Sequence, residues 1–338
     1  MNDHIKQMSS HLGESKDMLD KRMNALKHFT QTNKYGKGIL VDLDLDLSHL
    51  NLLEDKTHFN VEGDVNVISL TEETIKEYFD ESTFLSGLFN QGTLITVSKR
   101  NTGEIHLTLK LDGTHVDYIV ILVEENAKAK IIETIEGKGV RGQVVIIVIK
   151  ENAEIEYSTS NYLDNDTPSF THRKVYVGKN SLFKFTERLE GGKFNQSINT
   201  FYLEEKSTLQ SSTYTKGKKS QLFDLYTHVI HLGEKSESSL INKATLDEDA
   251  REVYRGLIKI NEGIKHCKGN QRSDTLLLSK DARADSIPSL EIENDHVRCN
   301  HAVTISKVSE DTLFYMMSRG ITESDAKKEI IKGFLHEN

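Results

Sequence analysis

One spacing constrains this chain more than its composition does. The segments Asn126-Ala127-Lys128-Ala129-Lys130-Ile131, Asn152-Ala153-Glu154-Ile155-Glu156-Tyr157, Asn180-Ser181-Leu182-Phe183-Lys184-Phe185 and Lys206-Ser207-Thr208-Leu209-Gln210-Ser211 share a pattern. Each opens on a turn residue and a small residue, then alternates. Their starts lie 26, 28 and 26 residues apart; a fifth copy near Ser236-Glu237-Ser238-Ser239-Leu240-Ile241 follows after 30, and Asp281-Ala282-Arg283-Ala284 marks a later one. Alternation with period two is a strand with one buried face. A strand-and-turn unit this short buries that face only by stacking on its neighbours. A propeller blade needs about 40 residues or more, so the spacing predicts a mainly β chain with a parallel β-helix over residues 92–304. Only Pro168 and Pro288 interrupt the donors that continuous ladders require.

The flanks read differently. Ile5, Met8, Leu12, Leu19, Met23, Leu26 and Phe29 recur at mostly helical spacing in a charged background. Val41-Asp42-Leu43-Asp44-Leu45-Asp46-Leu47-Ser48 alternates as a strand with a solvated acidic face, and Thr71 caps a short helix running to Gly87. Residues 1–91 therefore form a helical and mixed N-terminal segment, and residues 305–338 return to helix. Ser309 caps the first C-terminal helix and Gly320 ends it; Thr322 with Asp325 opens a second through Ala326, Ile330, Ile331 and Phe334. The face bearing Leu313, Phe314, Met316 and Met317 either packs on the solenoid end or grips a partner.

Composition closes several functional classes. The net charge is −9, the pI is near 5.9, and no basic block interleaves with aromatics, so no nucleic-acid footprint is expected. The longest apolar runs, Tyr118–Val123 and Val144–Ile149, are six residues each, against roughly 20 for a membrane span. The polar N-terminus lacks the apolar core of a signal peptide, which predicts a cytoplasmic protein. Two cysteines, Cys267 and Cys299, exclude a disulfide framework and leave metal or thiol chemistry.

Catalytic signatures are missing. Gly137-Lys138-Gly139-Val140-Arg141-Gly142 matches a dinucleotide fingerprint by letters, yet the strand-like Val144–Ile149 follows where a helix N-terminus would be needed. With no P-loop either, neither nucleotide binding nor ATP hydrolysis is assigned to this chain. A β-helix carbohydrate-active enzyme is the enzymatic alternative, weighed against zero tryptophan and no convincing carboxylate pair. His228 and His231, three apart on a strand, point to opposite faces and chelate poorly. Cys299 and His301, two apart, share a face with β-carbons roughly 7 Å apart. That separation is too wide for one zinc, and it suits a multi-iron species, an interface or simple packing. Cys267 lies 32 residues before Cys299, close to one coil, so the two thiols are expected on neighbouring rungs. Glu291 and Glu293 stand nearby in sequence.

The C-terminal third as a whole resembles the SufB/SufD family of iron–sulfur cluster assembly scaffolds. The resemblance rests on Ala250-Arg251-Glu252-Val253-Tyr254-Arg255-Gly256-Leu257-Ile258-Lys259-Ile260, on Asp285-Ser286-Ile287-Pro288-Ser289-Leu290-Glu291-Ile292, and on Asp295-His296-Val297-Arg298-Cys299-Asn300-His301-Ala302-Val303-Thr304. Leu313-Phe314-Tyr315-Met316-Met317-Ser318-Arg319-Gly320-Ile321 and Gly333-Phe334 complete it in order. It is strong over residues 200–334, weaker over 88–200 and absent from the N-terminal arm. It implies a right-handed parallel β-helix that pairs with a second SufB/SufD-type subunit, itself or another, and docks a SufC-type ABC ATPase by its C-terminal helices. Leu313, Phe314, Met317, Arg319 and Gly320 are the implied partner contacts. Cys299-x-His301 matches the SufD pattern. The cysteine on which SufB proteins build a cluster falls near Ser273, so a SufD-like partner or a minimal homodimeric form is implied. A transient iron–sulfur cluster would then be handled by Cys299 and His301, with help from Cys267 and from Glu291 or Glu293. The non-enzymatic alternative is a structural adaptor of the ATPase without cluster chemistry.

Overall fold

The computed structural model describes residues 2–27, 57–100 and 103–335. Phe29 and the acidic alternation over 41–48 lie outside them. The chain is mainly β, a parallel solenoid of about 8 turns with short helices at both ends. Two long strands start the stack: β4 (Glu104–Val123) and β5 (Lys128–Ile149), preceded by β3 (Gln91–Val97). After β5 each coil holds two ten-residue strands. One stack runs through β6 (Glu154–Leu163), β8 (Leu182–Gly191), β10 (Thr208–Gly217), β12 (Glu237–Leu246), β14 (Lys268–Leu277) and β16 (Arg298–Lys307). The facing stack runs through β7 (Pro168–Val177), β9 (Phe194–Leu203), β11 (Leu222–His231), β13 (Arg251–Ile260) and β15 (Arg283–Ile292). β5 joins them, pairing β6 through its first half and β7 through its second.

The repeated corner has a backbone cause. Asn126, Asn152, Asn180, Lys206, Lys235 and His266 all adopt φ between 57° and 63°. Asn tolerates this left-handed turn and Lys or His does so at some cost. Each is followed by a small buried residue, in order Ala127, Ala153, Ser181, Ser207, Ser236 and Cys267. Serine hydroxyls then satisfy the corner, as where Ser181 Oγ donates to Lys150 O at 2.8 Å and Ser236 Oγ to Gly233 O at 2.7 Å.

Strand alternation fills the space between the stacks in columns. An apolar column passes from Ile155 through Phe183 and Leu209, and a polar one through Glu133, Thr159, Glu187, Thr213, Asn242 and Ser273. Arg141 and Arg173 enter from the facing stack, both about 1% exposed or less. Such charges survive burial only when paired and hydrogen-bonded. Arg173 meets Glu187 at 3.2 Å and Asn199 at 2.7 Å, and Gln143 Nε2 and Tyr157 OH donate to Glu133 at 2.6 and 2.8 Å.

The two ends of the stack differ. At the N-terminal end β1 (His58–Glu62) pairs antiparallel with β4 and β2 (Asn66–Ser69) pairs antiparallel with β3. Helices α1 (Asn2–His11), α2 (Lys16–Leu26), α3 (Glu72–Tyr78) and α4 (Leu85–Leu88) cluster at this end. Met18, Leu26, Phe84, Leu85 and Leu88 bury the outer surfaces of Val144, Ile146, Phe170 and Phe194. The helix expected from Thr71 to Gly87 is therefore two helices broken by Phe79–Phe84; its Thr71 cap holds, with Thr74 N donating to Thr71 Oγ1 at 3.3 Å. At the C-terminal end, among the described residues, β15 pairs only with β13 and β16 only with β14. Helices α5 (Glu310–Ser318) and α6 (Glu323–Leu335) follow. α6 returns to the outer surface of β12, where Lys243 Nζ donates to Phe334 O at 2.8 Å and lies 5.4 Å from the Phe334 ring centre. α5 buries none of its residues. Among the described residues no helix is long and apolar enough to cross a membrane.

Candidate functional site

Among the described residues, the last coil carries inward-facing side chains with no further coil above them. On β16 the inner row is Cys299, His301, Val303 and Ile305, the last two 41% and 44% exposed. Cys299 continues the apolar column through Gly269, its register partner, and is half-buried. A β-carbon on Gly269 would come within 3.1 Å of the Cys299 Sγ and of Ile258 Cγ2, so the thiol occupies space that only glycine leaves. Burial pushes the Cys299 thiol above its ordinary value, and neighbouring Cys267 adds to the rise. Cys299 is thus a protonated thiol near neutral pH rather than an activated nucleophile. His301 is exposed beside Gln271, its register partner.

Cys267 is near Cys299 but not on its rung. Its register leads to Val297, two residues before Cys299, which strand geometry converts to about 8 Å between the two α-carbons. It fills the small-residue corner column, 1% exposed, with Ser236 Oγ at 3.4 Å and its thiol donating to Gly233 O at 3.5 Å. Ser273 is buried one coil below the inner row, in register with Val303, and accepts from Asn242 Nδ2 at 3.3 Å.

Glu291 alternates to the opposite side of β15 and pairs with Lys259 at 3.3 Å on the outer surface, away from the inner row. Glu293 stands just past the strand, exposed, its N–H donating to Ile260 O. The structure thus brings together Cys299, His301 and, more loosely, Cys267, and sets Glu291 apart. No group of three or more His, Cys, Asp or Glu is arranged as a metal site among the described residues. His228 and His231 point to opposite sides: His231 is sealed inside between Ser236 and Ser238, which burial reflects by lowering its pKa to about 4, and His228 stands outside against Tyr226. Gln271 is a site neighbour that sequence reasoning passed over. It is 3% exposed, lies one rung below His301, and is accommodated by Gly256, where any β-carbon would collide with its amide. The signal was available: the 30-residue offset that aligns Gly269 with Cys299 also aligns Gln271 with His301.

On α5, Phe314, Tyr315 and Met317 are exposed by 75%, 60% and 46%, Leu313 is half-buried, and Arg319 and Gly320 are exposed at its end, with Gly320 at φ +86°.

Comparison with known proteins places these features in a family. Residues 107–334 match the family described as SUF system FeS cluster assembly, SufBD core domain. An iron–sulfur cluster assembly SufBD family protein of Staphylococcus saprophyticus is 26% identical over 89% of this chain and 70% of its own length. Proteins of the same description from Staphylococcus haemolyticus and Staphylococcus epidermidis are each 25% identical over the same shares. The matched region runs from the first full coil to the last helix, and so the chain belongs to the SufBD family, a membership that supports a role in iron–sulfur cluster assembly.

Proposed function

We propose that this chain is a scaffold subunit of a SUF-type assembly complex that receives an iron–sulfur cluster as cargo at its open end, pairs there with a second SufB/SufD-type subunit, and docks a SufC-type ATPase through α5. The observation that carries the reading is the inner row of the last coil. Cys299 and His301 share one face and, among the described residues, have no coil above them and belong to a coil whose two strands, β15 and β16, are paired on one edge only. Thiolate and imidazole are suitable ligands for iron. Binding must displace the Cys299 proton, so it is favoured as pH rises. The chain's own cysteines are two, whereas a four-thiolate cluster needs four. A partner subunit facing the same edge supplies the remainder. The exposed apolar stripe of α5 supports the docking role, since a short helix leaving such residues in water marks an interaction surface. The scaffold performs no hydrolysis itself, and the ATPase drives opening and closing of the paired edge.

The test is anaerobic reconstitution with iron and sulfide in the presence of the ATPase. Cys299→Ser and His301→Ala should keep folding and pairing while retaining several-fold less iron and sulfide than wild type. Equal retention in both variants would assign the pair to packing and leave an adaptor of the ATPase.

A further inference from the structure

The polar interior of the solenoid changes character along its axis. In the early coils carboxylates meet cations, Glu133 with Arg141 and Arg173, and Glu187 with Arg173. In the late coils one carboxyl, Glu252, stands inside without one. It is 1% exposed on the inner face of β13, with Phe223 and Ala284 in register on either side and Asn242 across from it. Strand alternation turns the charged groups of the surrounding strands outward: Lys216 on β10, Asp224 on β11, Lys243 on β12, Arg255 on β13, Asp274 on β14 and Asp285 on β15. The titratable group that shares its interior is the phenol of Tyr254 on its own strand, whose ionisation is opposed first by burial and also by Glu252.

Asn242 Nδ2 donates to Glu252 Oε1 at 2.9 Å. The companion oxygens, Glu252 Oε2 and Asn242 Oδ1, are both buried and neither accepts a hydrogen bond of good geometry, although the Thr215 hydroxyl, buried and itself unpartnered, also acts on the Glu252 carboxyl. Two acceptors left unmatched on a pair already joined by one bond would each lose hydration without compensation. A proton on Oε2 would turn that oxygen into a donor, and directed at Asn242 Oδ1 it would satisfy both. A carboxylic acid beside a carboxamide forms a ring of two hydrogen bonds, amide N–H to acid carbonyl and acid O–H to amide carbonyl.

We propose that Glu252 and Asn242 form a buried proton-binding site, in which Glu252 is a neutral acid in the resting protein and loss of its proton is a pH-sensitive switch on the coils beneath the open end. Burial raises the Glu252 carboxyl above its ordinary value, and hydrogen bonding from Asn242 and from Thr215 opposes this in part. The same Asn242 Nδ2 reaches Ser273 Oγ at 3.3 Å, so the ring is tied to β14, the strand on which β16 rests. Ionisation sets a carboxylate against Asn242 Oδ1, and the resulting repulsion turns the carboxamide away and loosens that tie. The sign follows from the raised value. The stability contributed by the pair is complete below the unfolded carboxyl value, about 4.3, and is lost as pH rises through the folded value.

Glu252→Gln provides the test, because its carboxamide keeps both hydrogen bonds and cannot ionise. In thermal unfolding of the full chain, wild type and E252Q should melt within about 1 °C of each other at pH 5, with E252Q several degrees higher at pH 9. Infrared spectra of wild type labelled with carbon-13 glutamate should show a protonated-carboxyl stretch at pH 7 that fades as pH rises and is missing from E252Q. A melting difference that is the same at both pH values, or the lack of that band in wild type at pH 7, overturns the proposal. The infrared titration needs wild type alone and so decides the matter even if E252Q folds poorly. Neither measurement involves iron, so the outcome is independent of the cargo reading.

Discussion

Arg173 sits between Glu133 and Glu187, and its removal should be the most damaging single change inside the solenoid. Burial alone would push the Glu133 carboxyl up, but Arg173 and then Arg141 hold it below its ordinary value. Arg173→Met leaves Glu133 with Arg141 alone and Glu187 with only Ser197 and Asn199, which should lower the unfolding free energy by about 3–5 kcal/mol in urea titrations. Because Glu133 is depressed, the stability it contributes is present above about pH 4.3 and is lost as pH falls through its folded value; the Met variant should lose part of this acid transition. Cys299 shows the opposite displacement. Its raised thiol should react with iodoacetamide at pH 7.5 a few-fold more slowly than glutathione, read by mass spectrometry. Faster reaction would mean that the thiol is activated, contrary to its surroundings. The shared face of Cys299 and His301 was legible because alternation is local. The place of Cys267 was harder to read, since its role depends on aligning His266-Cys267 with Asn126-Ala127 five corners earlier, across coils of changing length. Glu291 was grouped with the inner row on proximity in sequence alone, and alternation along β15 carries it to the outer surface.

The coils were legible as elements because each corner needs a left-handed residue and a small one, and that demand leaves a mark in sequence. The second corner of each coil leaves a weaker mark: Lys219 and Glu248 adopt φ near 55° there, with no asparagine to announce them. The recurring sequence element therefore marks one strand of each coil, where the structure has two. At the first corner, Lys206→Asn should raise stability by about 0.5 kcal/mol, because Asn meets the left-handed turn with less strain than Lys. A destabilising result in chemical denaturation would show that the Lys206 stem packs more than its turn costs. The cap signals at Thr71, Ser309 and Thr322 survive as drawn, with Asp325 N donating to Thr322 Oγ1 at 3.2 Å. What sequence left open was which surface the C-terminal helices use. α6 anchors to β12 through Phe334, and α5 packs toward α6 with none of its residues fully buried. The double variant Phe314→Ser with Met317→Ser should change stability by no more than about 0.5 kcal/mol, since neither side chain is buried. The same variant should abolish co-purification with the ATPase. Unchanged co-purification would remove α5 from the docking role.

At the scale of the whole molecule, the described residues give a solenoid with one end closed by antiparallel strands and one end whose last two strands have no further strand on their outer edges. β1 and β2 reverse the strand direction, are five and four residues long, and offer a poor template for a further parallel strand. β15 and β16, ten residues each, offer a good one. A rod with two adhesive ends polymerises, whereas a rod with a single adhesive end is monovalent and can only terminate another. Two such rods meeting end to end by a two-fold axis exhaust each other's capacity to grow. Sedimentation over a hundredfold concentration range should therefore show pairs and no larger species, and removal of residues 57–70 should turn the same protein toward open-ended filaments. The N-terminal cap, remote from every candidate ligand, would then be the part of the molecule that keeps a sticky repeat protein from becoming a fibre.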